Sequence, residues 1–184
     1  MDDTLHSTRG LIEVRVEGLN QLFNSLDPSP FRNRDLDHDA EAHIIDWARE
    51  LPADIPLRLN IYLPPTEIDF AASRGVVEAF HHYFADRAAV AGRDLAEHFR
   101  ASWRYFTIGL PVLALCLIAS QTAAPVLGAG TSARILEESL IIVGWVANWK
   151  WIEAVLYDWW PLKRRRDLYQ RLAAATIEIL PVQS

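Results

Sequence analysis

Two apolar stretches, closely spaced and bracketed by basic residues, limit this chain more than any other feature. Residues 105–119 carry no charge, and the weakly polar 120–124 extend them. About 20 helical residues cross the roughly 30 Å hydrocarbon core of a bilayer, so 105–124 is long enough to span it. Pro111 sits inside this stretch, where membrane helices tolerate a kink. Residues 125–133 hold Pro125, Gly128, Gly130, Thr131 and Ser132, which predicts a turn. The second stretch, 139–160, is also long enough, but it contains Asn148, Lys150 and Glu153. Ionisable groups are costly in hydrocarbon, so the second stretch is expected to insert together with the first as a hairpin. The alternative, a buried core helix of a globular domain, is disfavoured by the charged flanks.

Lys and Arg near the ends set the orientation. Arg93, Arg100 and Arg104 precede the first stretch, and Lys163, Arg164, Arg165 and Arg166 follow the second. The turn holds only Arg134, offset by Glu137 and Glu138. Both termini are therefore expected on the cytoplasmic side of a bacterial inner membrane, as a two-pass protein. Trp103, Tyr105 and Phe106 on one helix, and Tyr157, Trp159 and Trp160 on the other, form an expected interfacial belt at a common depth. The N-terminus has neither a basic region nor an apolar core, so no cleaved signal is expected.

Residues 1–104 hold eleven Arg and no Lys against eighteen acids, a net of −7; residues 105–184 hold seven basic and six acidic side chains, a net of +1. An acidic domain lacks the charge that attracts phosphate backbones, so nucleic acid is excluded as a partner. The expected partners are the lipid bilayer and either a second copy or another membrane protein. The single cysteine, Cys116, falls within the first apolar stretch and reads as packing rather than redox chemistry.

Before the membrane stretches, alternation and capping signals outline an α+β fold: a small βαβ domain followed by a long amphipathic helix. Residues 1–9 read as mobile. Residues 11–17 alternate, with Ile12, Val14 and Val16 inward, as a half-buried strand. A short helical turn is expected at 19–23 and a turn-rich connection at 24–30. The acidic run 35–41 opens a helix, with Asp37 as cap. Ala40, Ile44, Trp47, Ala48 and Leu51 form its inner face, and Pro52 ends it. Leu57, Leu59, Ile61 and Leu63 mark a second strand. Thr66 and Asp69 have capping-box spacing. From there one long helix is predicted into the membrane, with Phe70, Val77, Phe84 and Ala91 recurring at sevens, joined by Phe80, Ala88, Leu95, Phe99, Trp103 and Phe106, and with a bend at Gly92. A helix from 167 to 175 and a short strand at 176–180 close the chain. The organisation is thus 1–65 for the domain, 66–104 for the long helix, 105–160 for the hairpin (105–124 and 139–160), and 161–184 for a basic tail. Two strands alone are marginal, and their edges want covering. The C-terminal strand, a second copy or a partner can complete the sheet, and self-association is the favoured choice.

Candidate chemistry is sparse. His38 and His43 lie among carboxylates, but five residues of helix leave their rings roughly 140° apart. Asp39 and His43, four apart, are the better-spaced pair of metal ligands, and a solvated acidic helix start explains the same residues. His81 and His82 point apart on the long helix, and His98 lies further along it. No histidine falls inside either span, which argues against haem between them. Lys150 and Glu153 share one face of the second span, whereas Asn148 lies on another; together the three form an intramembrane polar seam. The competing explanation is a Lys150 that snorkels to an interface. Five of seven Trp, including Trp145, Trp149 and Trp151, cluster here, with anchoring the simpler reading than a pigment pocket. Trp103, Trp159, Trp160, Arg104, Lys163, Arg164, Arg165 and Arg166 are the expected interfacial anchors. No phosphate loop, nucleophile elbow, Cys-x-x-Cys or His-Glu-x-x-His motif occurs. No catalytic residue and no cofactor are implied.

Residues 138–145 and 152–164 resemble the C-terminal parts of uncharacterised bacterial inner-membrane proteins. The resemblance implies the membrane topology and carries no activity. The function expected is a membrane-anchored, oligomeric adaptor or accessory/structural subunit acting through protein–protein contacts. The alternatives are a small metal-binding protein or enzyme using His38 and His43, and an oligomeric conductor around Lys150 and Glu153.

Overall fold

The alternating run at 57–63 forms the middle strand of a three-stranded, all-parallel sheet. In the computed structural model, which describes residues 10–128 and 130–182, β1 (Leu11–Arg15), β2 (Arg58–Leu63) and β3 (Thr176–Pro181) stand in the order β1-β2-β3. Ile12 pairs with Leu59 and Val14 with Ile61; across β2, Leu59 pairs with Ile177 and Ile61 with Ile179. Period-two alternation turns these apolar side chains to one face. Ile12, Leu59, Ile61 and Leu63 are fully enclosed there. The opposite face is polar: Tyr62 OH donates to Glu13 at 2.8 Å and Arg58 pairs with Glu178 at 3.4 Å. The stretch 1–9, read from sequence as mobile, lies outside the described residues.

The third strand comes from the chain's own C-terminal segment, so self-association is not what completes this sheet. The fold class is a mixed α/β arrangement of parallel βαβ elements with two long helices packed together. Between β1 and β2 lies α1 (His38–Glu50), capped as expected, with Asp37 accepting the Asp39 N–H at 3.0 Å. Its buried face is Glu41, Ile44, Ile45 and Ala48. Trp47, assigned to that face from spacing, is exposed instead, because Ile45 lies closer to the sheet-facing direction.

The long helix expected from residue 66 begins differently. Pro65 occupies the first turn of α2 (Pro65–Arg74), with Pro64 before it and no side-chain cap, so the Thr66–Asp69 capping box does not form. A proline there loses nothing, since first-turn N–H groups have no helical partner. Gly75, at φ 69° and ψ 47°, then ends α2 in the left-handed conformation that side chains disfavour. The break thus falls at Gly75, and Gly92 lies inside α3 (Val76–Leu127). Of the expected stripe, Phe80, Phe84, Ala88, Ala91 and Leu95 are buried, joined by Val76 and Ala79, while Phe70, on the other side of the break, is 46% exposed.

Helix α3 also runs through Pro125, further than the expected turn, and stops at Gly128, whose φ is 79°. Helix α4 (Thr131–Glu153) returns and passes through a five-residue π segment, Ala154–Asp158, into α5 (Trp159–Ala173). The helix expected at 167–175 is the end of this longer run. The chain divides into two compact units, one formed by residues up to Ala91 together with those from Arg164 on, the other by 92–163. The first unit's core joins the sheet to Phe80, Phe84, Tyr169 and Leu172. Each such large side chain contributes about 1.5–3 kcal/mol when fully enclosed.

Candidate functional site

In the 92–163 unit the two helices meet along small residues. Gly109, Cys116 and Ser120 on α3 and Ala133, Gly144 and Asn148 on α4 are buried. A Cβ added at Gly144 meets Leu113 Cδ1 at 2.8 Å and Cys116 Cβ at 3.2 Å. Small residues permit this close approach, which in membrane helices supplies the packing that hydrophobicity cannot. Asn148 is enclosed at the centre. Its Nδ2 donates to Gly109 O on α3 at 3.0 Å and to Gly144 O on its own helix at 3.1 Å. Such interhelical bonds contribute on the order of 1 kcal/mol.

Lys150 and Glu153 share a face, as their spacing requires, and their side chains meet at 3.1 Å. The same Lys150 Nζ lies 3.8 Å from Asp158. Eight residues of regular α-helix leave two side chains about 80° apart; the wider π turn closes that gap and brings Asp158 beneath Lys150. All three groups are at the unit's surface, away from the Asn148 contact. The polar seam is therefore two features: an amide inside the hairpin and a charged triad outside it. At Ala154, where the π segment begins, His98 Nε2 lies 3.1 Å from the carbonyl. A carbonyl only accepts, so that nitrogen holds the proton.

The expected aromatic anchors gather around the same end of the hairpin. Trp103 packs on Phe106 (5.1 Å between centroids), Phe106 on Trp151 (4.8 Å), and Trp159 on Trp160 (5.5 Å). Lys163 lies over the Trp159 ring at 5.7 Å. Arg104, Lys163, Arg164 and Arg165 are exposed, while Arg166 is half-buried and bonds Asp167 at 2.7 Å. Beyond this stripe the hairpin is apolar and bare: Ile108, Leu115, Ile118, Ile142, Val146 and Trp149 are all exposed. Most of the apolar stretch of each helix is exposed. Among the described residues, two helices are long and apolar enough to cross a membrane.

In the α/β unit, His38, Asp39 and His43 are exposed on α1. Among the described residues, no three His, Cys, Asp or Glu side chains converge as metal ligands. The His43 ring lies against Trp47 at 5.8 Å. His81 Nε2 donates to Ala175 O at 2.9 Å, just before β3, and His82 pairs with Asp86 at 3.4 Å. No family model, curated protein or solved structure matches this chain.

Two arrangements escape a reading of the sequence. Glu41, 8% exposed, bonds Arg87 at 3.0 Å, and Arg87 also donates to Tyr83 OH at 2.7 Å. Burial pushes the Tyr83 phenol well above its ordinary value. The pair's outer half faces water, which screens it, so roughly 1 kcal/mol is a fair measure of its worth. The second is a cleft of about 530 Å³ bounded by Glu17, Phe31, Arg34, Glu67, Phe70 and Arg74. Spacing assigned Phe70 to a core stripe. The signal that finds this cleft is the pair of chain segments leaving β1 and β2, since open α/β sheets bind ligands beyond their carboxyl ends.

Proposed function

We propose that this chain is a two-pass, membrane-anchored accessory protein of a bacterial inner membrane that works through protein contacts. The pairing of β2 with β3 carries the reading. These strands lie before and after the hairpin, yet they are hydrogen-bonded neighbours in one sheet. A chain that leaves and rejoins one sheet must cross a bilayer an even number of times. Lys163 and the arginines at 164–166 favour the cytoplasm for that sheet. The bare apolar flanks of the hairpin favour lipid as its surroundings, because so many exposed large apolar side chains along two helices are uncommon in water-soluble proteins.

The charged triad supports contact with a second copy or another membrane protein. Lys150, Glu153 and Asp158 lie on the surface of a span whose other exposed residues are mostly apolar, and membrane ionisable groups normally face protein or water.

Single cysteines in a Cys116→Ser background test the topology. An impermeant maleimide added to spheroplasts is expected to label Thr131→Cys at the turn, and Glu50→Cys on α1 only after permeabilisation. Labelling of Glu50→Cys in sealed spheroplasts, or extraction of the chain without detergent, would overturn the reading.

A further inference from the structure

The cleft between the ends of β1 and β2 is built unlike an ordinary surface hollow. Arg34 and Arg74 reach it from different elements, one from the loop before α1 and one from the last turn of α2. Both guanidiniums lie over the Phe31 ring, at 5.6 Å and 5.8 Å, and Arg74 stacks on Phe70 at 4.4 Å. Among the described residues neither makes a salt bridge, and Arg34 Nε is buried without a hydrogen bond to protein. Two acids, Glu17 and Glu67, also line the cleft, and Glu67 Oε2 is engaged by the Leu19 N–H at 3.0 Å. Phe70, half exposed, adds an apolar platform at the mouth.

The loop that presents Arg34 is held from within. Asp27 accepts N–H bonds from Ser29 at 2.9 Å and Asp35 at 2.8 Å, and Asn24 N–H donates to Asp35 O at 2.9 Å. Two arginines thus line one cleft whose volume is typical of small-molecule sites. Guanidinium forks match carboxylate and phosphate oxygens, and the two rings suit a flat body attached to such a group.

We propose that this cleft binds a small organic anion, a carboxylate or phosphate attached to an aromatic body. Arg34 and Arg74 hold its oxygens, and Phe31 and Phe70 contact its ring. The site lies wholly within the α/β unit, so it stands or falls independently of the membrane reading.

Saturation-transfer NMR on the full chain in nanodiscs, with empty nanodiscs as blank, tests this using benzoate and adenosine monophosphate as probes. Binding of either probe is expected, and which one binds more tightly assigns carboxylate or phosphate chemistry. Arg74→Gln, at an exposed position, is expected to weaken it roughly tenfold or more, as loss of a charged hydrogen-bond donor should. Phe70→Ala is expected to weaken it as well, and Arg49→Gln, on the outer face of α1, to leave it unchanged. The proposal is overturned if neither probe gives signal above the blank. It is equally overturned if binding survives both Arg74→Gln and Arg34→Gln at full strength.

Discussion

Asp27 shows how one side chain sets the shape of a whole loop. The backbone N–H groups of Asp35 and Ser29 hold its carboxyl below the usual carboxylate range. A carboxyl depressed in the folded state stabilises the fold above its ordinary value, and that contribution is lost as pH falls through the lowered one. Acidification below about pH 4 is therefore expected to loosen residues 27–35 before the rest of the unit. Hydrogen exchange read by mass spectrometry checks this: protection of that loop, corrected for the intrinsic pH dependence of amide exchange, should fall with acid, and Asp27→Asn should show the loss already at neutral pH. Unchanged exchange in the variant would remove Asp27 as the loop's staple. Asn148 is the counterpart in the hairpin, one amide joining two helices through Gly109 O.

The helices show what small residues and breakers do at the next scale. Gly75 separates α2 from α3 and so frees Phe70 from the stripe that Val76, Phe80 and Phe84 continue. Gly144 has the opposite task, allowing contact rather than interrupting it. Leucine at Gly144 would drive its side chain into Leu113 and Cys116, and overpacking of this kind costs about 1–3 kcal/mol. A lower unfolding temperature in detergent is expected for Gly144→Leu, with Ile142→Leu, on the exposed flank, close to wild type. Equal temperatures for the two would mean that the helices do not meet at Gly144. The π segment belongs to this scale too: its wider turn, not the local residue types, brings Asp158 to Lys150.

For the whole molecule, the sheet depends on a strand that arrives only after the hairpin. Ending the chain after Ala175 removes β3 and leaves Leu59 and Ile61 paired only with β1. Limited proteolysis is expected to cut residues 10–91 of the truncated protein rapidly, while the hairpin still needs detergent for extraction. A truncated protein as resistant as the full chain would make β3 dispensable. The charged triad makes the corresponding prediction for assembly. Lys150→Leu combined with Glu153→Leu is expected to change the mass of the detergent-solubilised particle, measured by light scattering. An unchanged mass would take the triad out of any subunit contact.

Several features follow from local pattern alone. Alternation at 57–63 and 11–15 marks strands because a pleat repeats every two residues, and Asp37 caps α1 because its side chain needs only its near neighbours. The two apolar stretches and the Lys150–Glu153 pair are likewise visible in order and spacing. What tertiary structure decided is which distant segments meet. The third strand, the Glu41–Arg87 pair and the arginine cleft each join residues separated by dozens of positions. Phe70 and Trp47 have the spacing of core residues, yet both are exposed. Periodicity states that a helix has an apolar side; only the surfaces packed against it decide which residues that side encloses.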